Sequence, residues 1–122
     1  MELIRDPDSA HYVIKSYQPG RIRIHDTTYD CPVIVLAHHL IAPWHIPSFE
    51  ALSAQHFEAL IALSPQIVLL GTGLKTQWPP LHIFEGFIAH GIAFEVMNSA
   101  AACRTYRVLI AEGKQVAAAL FP

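Results

Sequence analysis

Charge is the first thing this sequence is short of. Only 15% of its 122 residues are charged, where about a quarter is usual for a soluble domain. Eight Lys plus Arg stand against ten Asp plus Glu, a net charge of −2. The basic excess that phosphate contacts require is missing, so no nucleic-acid partner is expected. Cysteine is scarce too. Cys31 and Cys103 lie far apart with no CxxC spacing, which excludes a disulfide framework and a cysteine-based zinc site. Long apolar runs are lacking: the stretches 33–37 and 116–121 are the most apolar. Both fall well short of the roughly 18 residues a membrane-spanning helix needs. Residues 1–8 have neither a basic leader with an apolar core nor an Arg- and Ser-rich transit pattern, so a cytoplasmic location is expected. No repeat, low-complexity tract or linker divides the chain, and one domain over 1–122 is expected.

Apolar material is abundant, at 52% of residues. That is enough to offset the entropy of ordering the chain and excludes disorder. The low charge leaves less polar surface for the outside, which points to an apolar patch covered by a partner.

From His11 to Tyr29 the pattern is short and β-like. His11-Tyr12-Val13-Ile14-Lys15-Ser16-Tyr17 breaks at Gln18-Pro19-Gly20, and Arg21-Ile22-Arg23-Ile24-His25 then alternates polar and apolar. This predicts antiparallel strands joined by a turn, with one face wet. Val33-Ile34-Val35-Leu36-Ala37 is a continuous apolar run that opens with three β-branched residues, as in a strand buried on both faces. Phe49, Leu52, Phe57, Leu60, Ile61 and Leu63 have helical spacing that ends before Pro65. Ile67-Val68-Leu69-Leu70 is a second buried strand, closed by Gly71-Thr72-Gly73. A second helix opens at Pro80 and stops at Gly91, and a third strand covers residues 93–97. Asn98 or Ser99 caps a helix running to Gly113, and residues 116–121 close the chain as a strand. The order β-α-β-α-β-α-β predicts an α/β fold (α+β by some schemes). Its core is a mostly parallel, four-stranded central sheet, with the amino-terminal antiparallel strands as an added layer.

Two segments carry the candidate chemistry. Leu70-Gly71-Thr72-Gly73-Leu74-Lys75 is a glycine-containing turn at the carboxyl end of a parallel strand, where open α/β sheets bind ligands. Glycines let backbone N–H groups approach an anion, and Lys75 adds a charge. The dinucleotide fingerprint fails at Thr76, and the phosphate-loop pattern fails for want of Gly-Lys-Ser/Thr. The second segment runs from Met97 to Arg107 and shares that end of the sheet. There Asn98, Ser99, Arg104 and Tyr106 can meet a polar or anionic ligand, or serve as a helix cap, an interior ring and a surface cation. Cys103, near a helix amino terminus beside Arg104, is either a nucleophile or a small buried packing residue.

Eight histidines invite a metal. Adjacent His38 and His39 point to opposite faces of a strand, however, and no HxH or HxxxH spacing occurs. No metal, no cofactor and no catalytic residue is assigned. No carboxylate pair and no Gly-x-Ser-x-Gly elbow is present, and the case for an enzyme is thin.

The Gly-Thr-Gly after an apolar strand, the Pro-led helix, Met97-Asn98-Ser99-Ala100-Ala101-Ala102-Cys103-Arg104-Thr105-Tyr106 and Leu109-Ile110-Ala111-Glu112-Gly113-Lys114 together resemble a known family. It is that of mitochondrial complex I assembly factor 3, with the adipogenesis-associated proteins and many bacterial and archaeal relatives. The resemblance implies a three-layer β/β/α fold. It also implies a non-catalytic module that binds a protein partner, either respiratory-chain subunits or another assembly factor. The pattern residues that carry over are Gly71, Thr72, Gly73, Ala101, Arg104, Thr105, Tyr106, Glu112 and Gly113. Asn98-Ser99 stands where the family often has Asp-Thr, and Arg107 where Asn is common; losing that Asp weakens an enzymatic reading more than a binding one. The leading expectation is a binding or assembly module. The alternative is a binder of a small anionic molecule, or an enzyme, using the crevice between the Gly71-Thr72-Gly73 turn and Arg104 with Tyr106. A homo-oligomer with a structural role is a third possibility.

Overall fold

A computed structural model describes residues 11–122. The stretch 1–8, read above for targeting signals, lies outside them. The first strands are β1 (Ile14–Gln18), β2 (Arg21–Ile24) and β3 (Thr27–Tyr29), an antiparallel sheet in that order. Gly20 adopts φ +84° in the β1–β2 turn, a conformation glycine takes without steric cost. The alternation seen in the sequence places Ile22 and Ile24 in the interior and Arg21 and Arg23 in water.

A five-stranded sheet forms the middle layer. Its strands are β4 (Val33–Leu36), β5 (Leu40–Ile41), β6 (Ile67–Thr72), β7 (Ala93–Met97) and β8 (Val116–Phe121), in the order β5-β4-β8-β6-β7. β6 pairs in parallel with β7 and β8. Beneath it lie two 3-10 turns (Phe49–Ala51 and Ala54–Phe57) with α1 (Glu58–Ala62), and α2 (Leu81–Ala89). On the opposite face lie α3 (Ser99–Ala111) and the three-stranded sheet. Alternate residues of the strands serve the two layers. Ile34, Val68, Leu70, Ala117 and Ala119 face Phe57, Leu60, Ile83 and Phe87. Val33, Val35, Leu69, Ala118 and Leu120 face Ile14, Ile22, Cys103 and Tyr106. α2 and α3 sit on opposite faces because the β6–β7 and β7–β8 crossovers run in opposite directions, and each must be right-handed.

The arrangement is three-layered, as expected, but differs in three local respects. First, β4 is antiparallel to β8, and β5 adds a fifth strand by a hairpin from β4. The unbroken apolar run in β4 reflects its place between β5 and β8, with layers on both faces, rather than parallel pairing. Second, the single helix expected over 49–63 is broken. Leu52 is extended, and Ser53 opens a new turn whose backbone N–H donates to His56 Nδ1 at 3.0 Å. With β4 antiparallel, this connection is no parallel crossover and needs no long helix. Third, Gly71 and Thr72 are strand residues, paired with Leu120 and Phe121; only Gly73, at φ +90°, makes the turn.

The ends of the two longer helices follow one rule. Gly91 (φ +70°) donates to the Ile88 carbonyl and Ile92 to that of Phe87; Gly113 (φ +79°) donates to Ile110 and Lys114 to Leu109. This pair of bonds closes a helix with a left-handed glycine and satisfies its terminal carbonyls.

Candidate functional site

The carboxyl ends of β6 and β7 bring Gly71, Thr72, Gly73, Asn98 and Ser99 together. Asn98 caps α3, its Oδ1 accepting from the Ala101 N–H at 2.9 Å, so the helix can start directly off β7. Ser99 is thereby turned inward and fully buried. Its Oγ accepts from Gly73 N–H at 2.8 Å and donates to the Phe121 carbonyl. Its own N–H donates to the Gly73 carbonyl at 2.8 Å. Gly71 is needed for close approach, because a Cβ there would sit 2.8 Å from Leu120 Cδ2, 2.9 Å from Ser99 Oγ and 3.1 Å from Ala102 Cβ. Thr72 Oγ1 donates to the Lys75 carbonyl at 2.6 Å and accepts from Gln77 N–H at 3.0 Å. These bonds fold the loop back on its own strand. Two donors of the turn are thus engaged, Gly73 N–H by Ser99 and Gln77 N–H by Thr72.

Arg104, Tyr106 and Lys75 are placed apart from that knot. The Lys75 side chain is exposed, and so is Arg104 on the outer side of α3. Tyr106 is interior, its hydroxyl donating to the Tyr12 carbonyl at 3.2 Å, which ties α3 to the segment leading into β1. Arg107 assists, Nη1 donating to the Ile14 carbonyl at 3.1 Å. Burial raises the Tyr106 pKa. It also pushes the Cys103 thiol up to about 11, against the smaller opposing pull of Arg107 and Arg104. A thiol so held is protonated near neutrality and a poor nucleophile. Among the described residues no three His, Cys, Asp or Glu side chains converge where a metal ion would sit.

The chain also exposes large apolar side chains that the sequence patterns did not locate. The loop from β6 to α2 exposes Leu74 (67%) and Trp78 (69%), and α2 exposes Leu81 (71%) and Ile88 (73%). Leu81 and Ile88 are two turns apart and therefore share one helix face. The available signal was a tryptophan within Thr76-Gln77-Trp78-Pro79-Pro80, a stretch with no period that would bury it.

Residues 14–121 match a family model described as protein of unknown function (DUF498/DUF598). The chain is 33% identical to the zebrafish (Danio rerio) protein named NADH dehydrogenase (ubiquinone) 1 alpha subcomplex assembly factor 3, covering 100% of this chain and 71% of that one. It is 30% identical to a protein of Francisella tularensis named 13 kDa major membrane protein, over 95% of each chain. It also superposes on the solution structure of a Xanthomonas campestris protein with a TM-score of 0.86 and 31% identity, covering 99% of this chain and 92% of that one. The chain is a member of the DUF498/DUF598 family and a relative of complex I assembly factor 3.

Proposed function

We propose that the chain is a non-catalytic protein-binding module that docks on respiratory-chain subunits or on another assembly factor. The observation that carries the reading is the exposed set Leu74, Trp78, Leu81 and Ile88. Large aromatic and aliphatic side chains held in water are what a partner's surface desolvates, and tryptophan is enriched among residues that dominate binding. The relatives named as assembly factors support the same conclusion. So does the hydrogen-bonded closure around Ser99, which leaves little for a substrate to engage. No helix among the described residues is long and apolar enough to cross a membrane. We place the protein in the cytoplasm, where a membrane-bound partner would hold it at the membrane surface.

The test is a tagged pull-down from native cells in mild detergent, comparing the wild-type chain with a Trp78→Ala/Leu81→Ser double variant. Both side chains are exposed, so the variant's melting curve should overlay that of the wild type. Respiratory-chain subunits should be retained by the first and lost by the second. Equal retention by both would remove this surface from the proposal. Recovery of the chain alone would replace hetero-assembly by self-association, which light scattering measures directly.

A further inference from the structure

Away from Gly71 and Trp78, at the amino ends of β6 and β8, lies an open cavity of about 330 Å³. Its polar lining includes His11, His38, His39 and Lys114, and apolar wall residues include Leu36, Leu63 and Ile110. The antiparallel direction of β4 accounts for this grouping, since it delivers the β4–β5 hairpin with His38 and His39 to the end where α3 finishes. The hairpin is tied to the segment before β1, Tyr12 N–H donating to the Ala37 carbonyl at 2.8 Å. The rings of His11 and His38 meet edge to face with centroids 5.1 Å apart. No carboxylate is among the described residues that line the cavity.

The lining residues favour an anion. A helix carboxyl terminus would ordinarily oppose one through its exposed carbonyls. Here Gly113 and Lys114 N–H groups occupy the carbonyls of Ile110 and Leu109, and Lys114 lines the cavity whereas Glu112, exposed at the same helix end, does not. Imidazole N–H groups add donors. One permanent cation matches a monoanion better than the two charges of a phosphate, and a fully hydrated ion would leave the Leu36, Leu63 and Ile110 wall unused. At about 30 Å³ per atom, the share of a water in the liquid, the cavity has room for about ten non-hydrogen atoms.

We infer that this cavity binds a small organic carboxylate. Its head group is held by Lys114 and the histidine N–H groups, and a short apolar body lies against Leu36, Leu63 and Ile110. This site is separate from the docking surface around Trp78 and stands whether or not that surface has a partner.

The experiment is an amide-resolved NMR titration of the full chain with sodium hexanoate, alongside hexylammonium chloride and inorganic phosphate at matched ionic strength. Hexanoate should give saturable shifts at His38, His39, Lys114 and Gln115, and hexylammonium none. Lys114→Ala should weaken hexanoate about tenfold, the usual scale for one charge-assisted hydrogen bond. Lys114→Glu should abolish hexanoate binding without moving the melting curve beyond a surface effect. The inference is overturned by any of three results: no saturable shift at these amides, equal shifts with hexylammonium, or unchanged hexanoate affinity in Lys114→Ala. Tighter saturation by phosphate than by hexanoate would overturn the carboxylate assignment in favour of a phosphate site.

Discussion

At the carboxyl ends of β6 and β7, the space between strand and helix is taken up by Ser99 Oγ, the Leu120 side chain and Ala102. At the amino ends of β6 and β8, a space of about 330 Å³ stays open between Leu36, Leu63 and Ile110. In open α/β sheets the carboxyl ends of the parallel strands are where ligands bind. That rule assumes helix amino termini with free donors facing a gap. Here the gap is absent because Asn98 takes the capping role and frees Ser99 to turn inward. The opposite end is polar because one strand runs backwards. Strand direction, more than the presence of glycine, decides which residues meet at which end.

The strongest way to break this comparison is Ser99→Ala. The change leaves Gly73 N–H and the Phe121 carbonyl buried without their shared partner. Each such group costs on the order of 1–3 kcal/mol, so a loss of about 3 kcal/mol is expected in urea unfolding, with an unchanged m value. A loss below about 1 kcal/mol would mean that water already reaches this end, and the closed description would fall.

Gly71→Ala tests the same closure through packing. The added methyl meets Leu120, Ser99 and Ala102 at 3.1 Å or less. Overpacking of this kind typically costs 1–3 kcal/mol, and about 2 kcal/mol is expected because only the Leu120 terminus can swing aside. A neutral result would show that β6 and α3 are separable enough to admit a ligand.

Cys103 reports on the same layer by its proton. Burial raises its folded pKa from 9.0 to about 11, so the folded state binds that proton more tightly than the unfolded chain. The stabilisation is complete below about pH 9 and is lost as pH rises toward about 11. By pH 10 the decline attributable to the thiol should be about 1 kcal/mol, and Cys103→Ala should flatten it. Tyr17 and Tyr106, whose pKa values are also raised by burial, extend the decline to higher pH. Both tyrosines begin to contribute as pH nears 10, so the thiol is read from the difference between the wild type and Cys103→Ala over pH 9 to 10. An identical slope in the variant would place Cys103 in contact with water.

Much of this could be read from residue patterns, and the failures have separate causes. β7, β8 and the left-handed glycines at 91 and 113 follow from local chemistry and stand where the sequence places them, and of the two caps it offered, Asn98 and Ser99, the structure uses Asn98. The direction of β4 does not follow, because an apolar run such as Val33-Ile34-Val35-Leu36 looks the same in a parallel or an antiparallel pair when both faces are covered. That ambiguity would set His38 and His39 beside Gly71 and apart from Lys114. The unbroken helix expected over 49–63 came instead from apolar spacing, which does not reveal the break at the extended Leu52 and the new cap at Ser53. The turn at Gly73 was legible as glycine chemistry, but the Leu120 methyl and Ser99 hydroxyl that crowd Gly71 in the strand before it come from residues 26 or more positions away.

The smallest expected effect sharpens the contrast most. Lys114 is exposed on the last turn after α3 and makes no ion pair among the described residues. Its backbone N–H, which closes the helix on Leu109, survives any side-chain change except proline. Lys114→Ala should therefore alter stability by no more than about 0.5 kcal/mol, the range of an ordinary surface substitution. Ser99→Ala at the other end should cost about six times that on the estimates above. A residue that folding barely needs, set at the mouth of a cavity, is free to serve a ligand, whereas Ser99 is fully committed to the fold. If Lys114→Ala instead lowered stability by about 2 kcal/mol, on the scale of a lost charge-assisted bond, its ammonium group would be a structural clamp on the α3 terminus. The two ends of the sheet would then be alike.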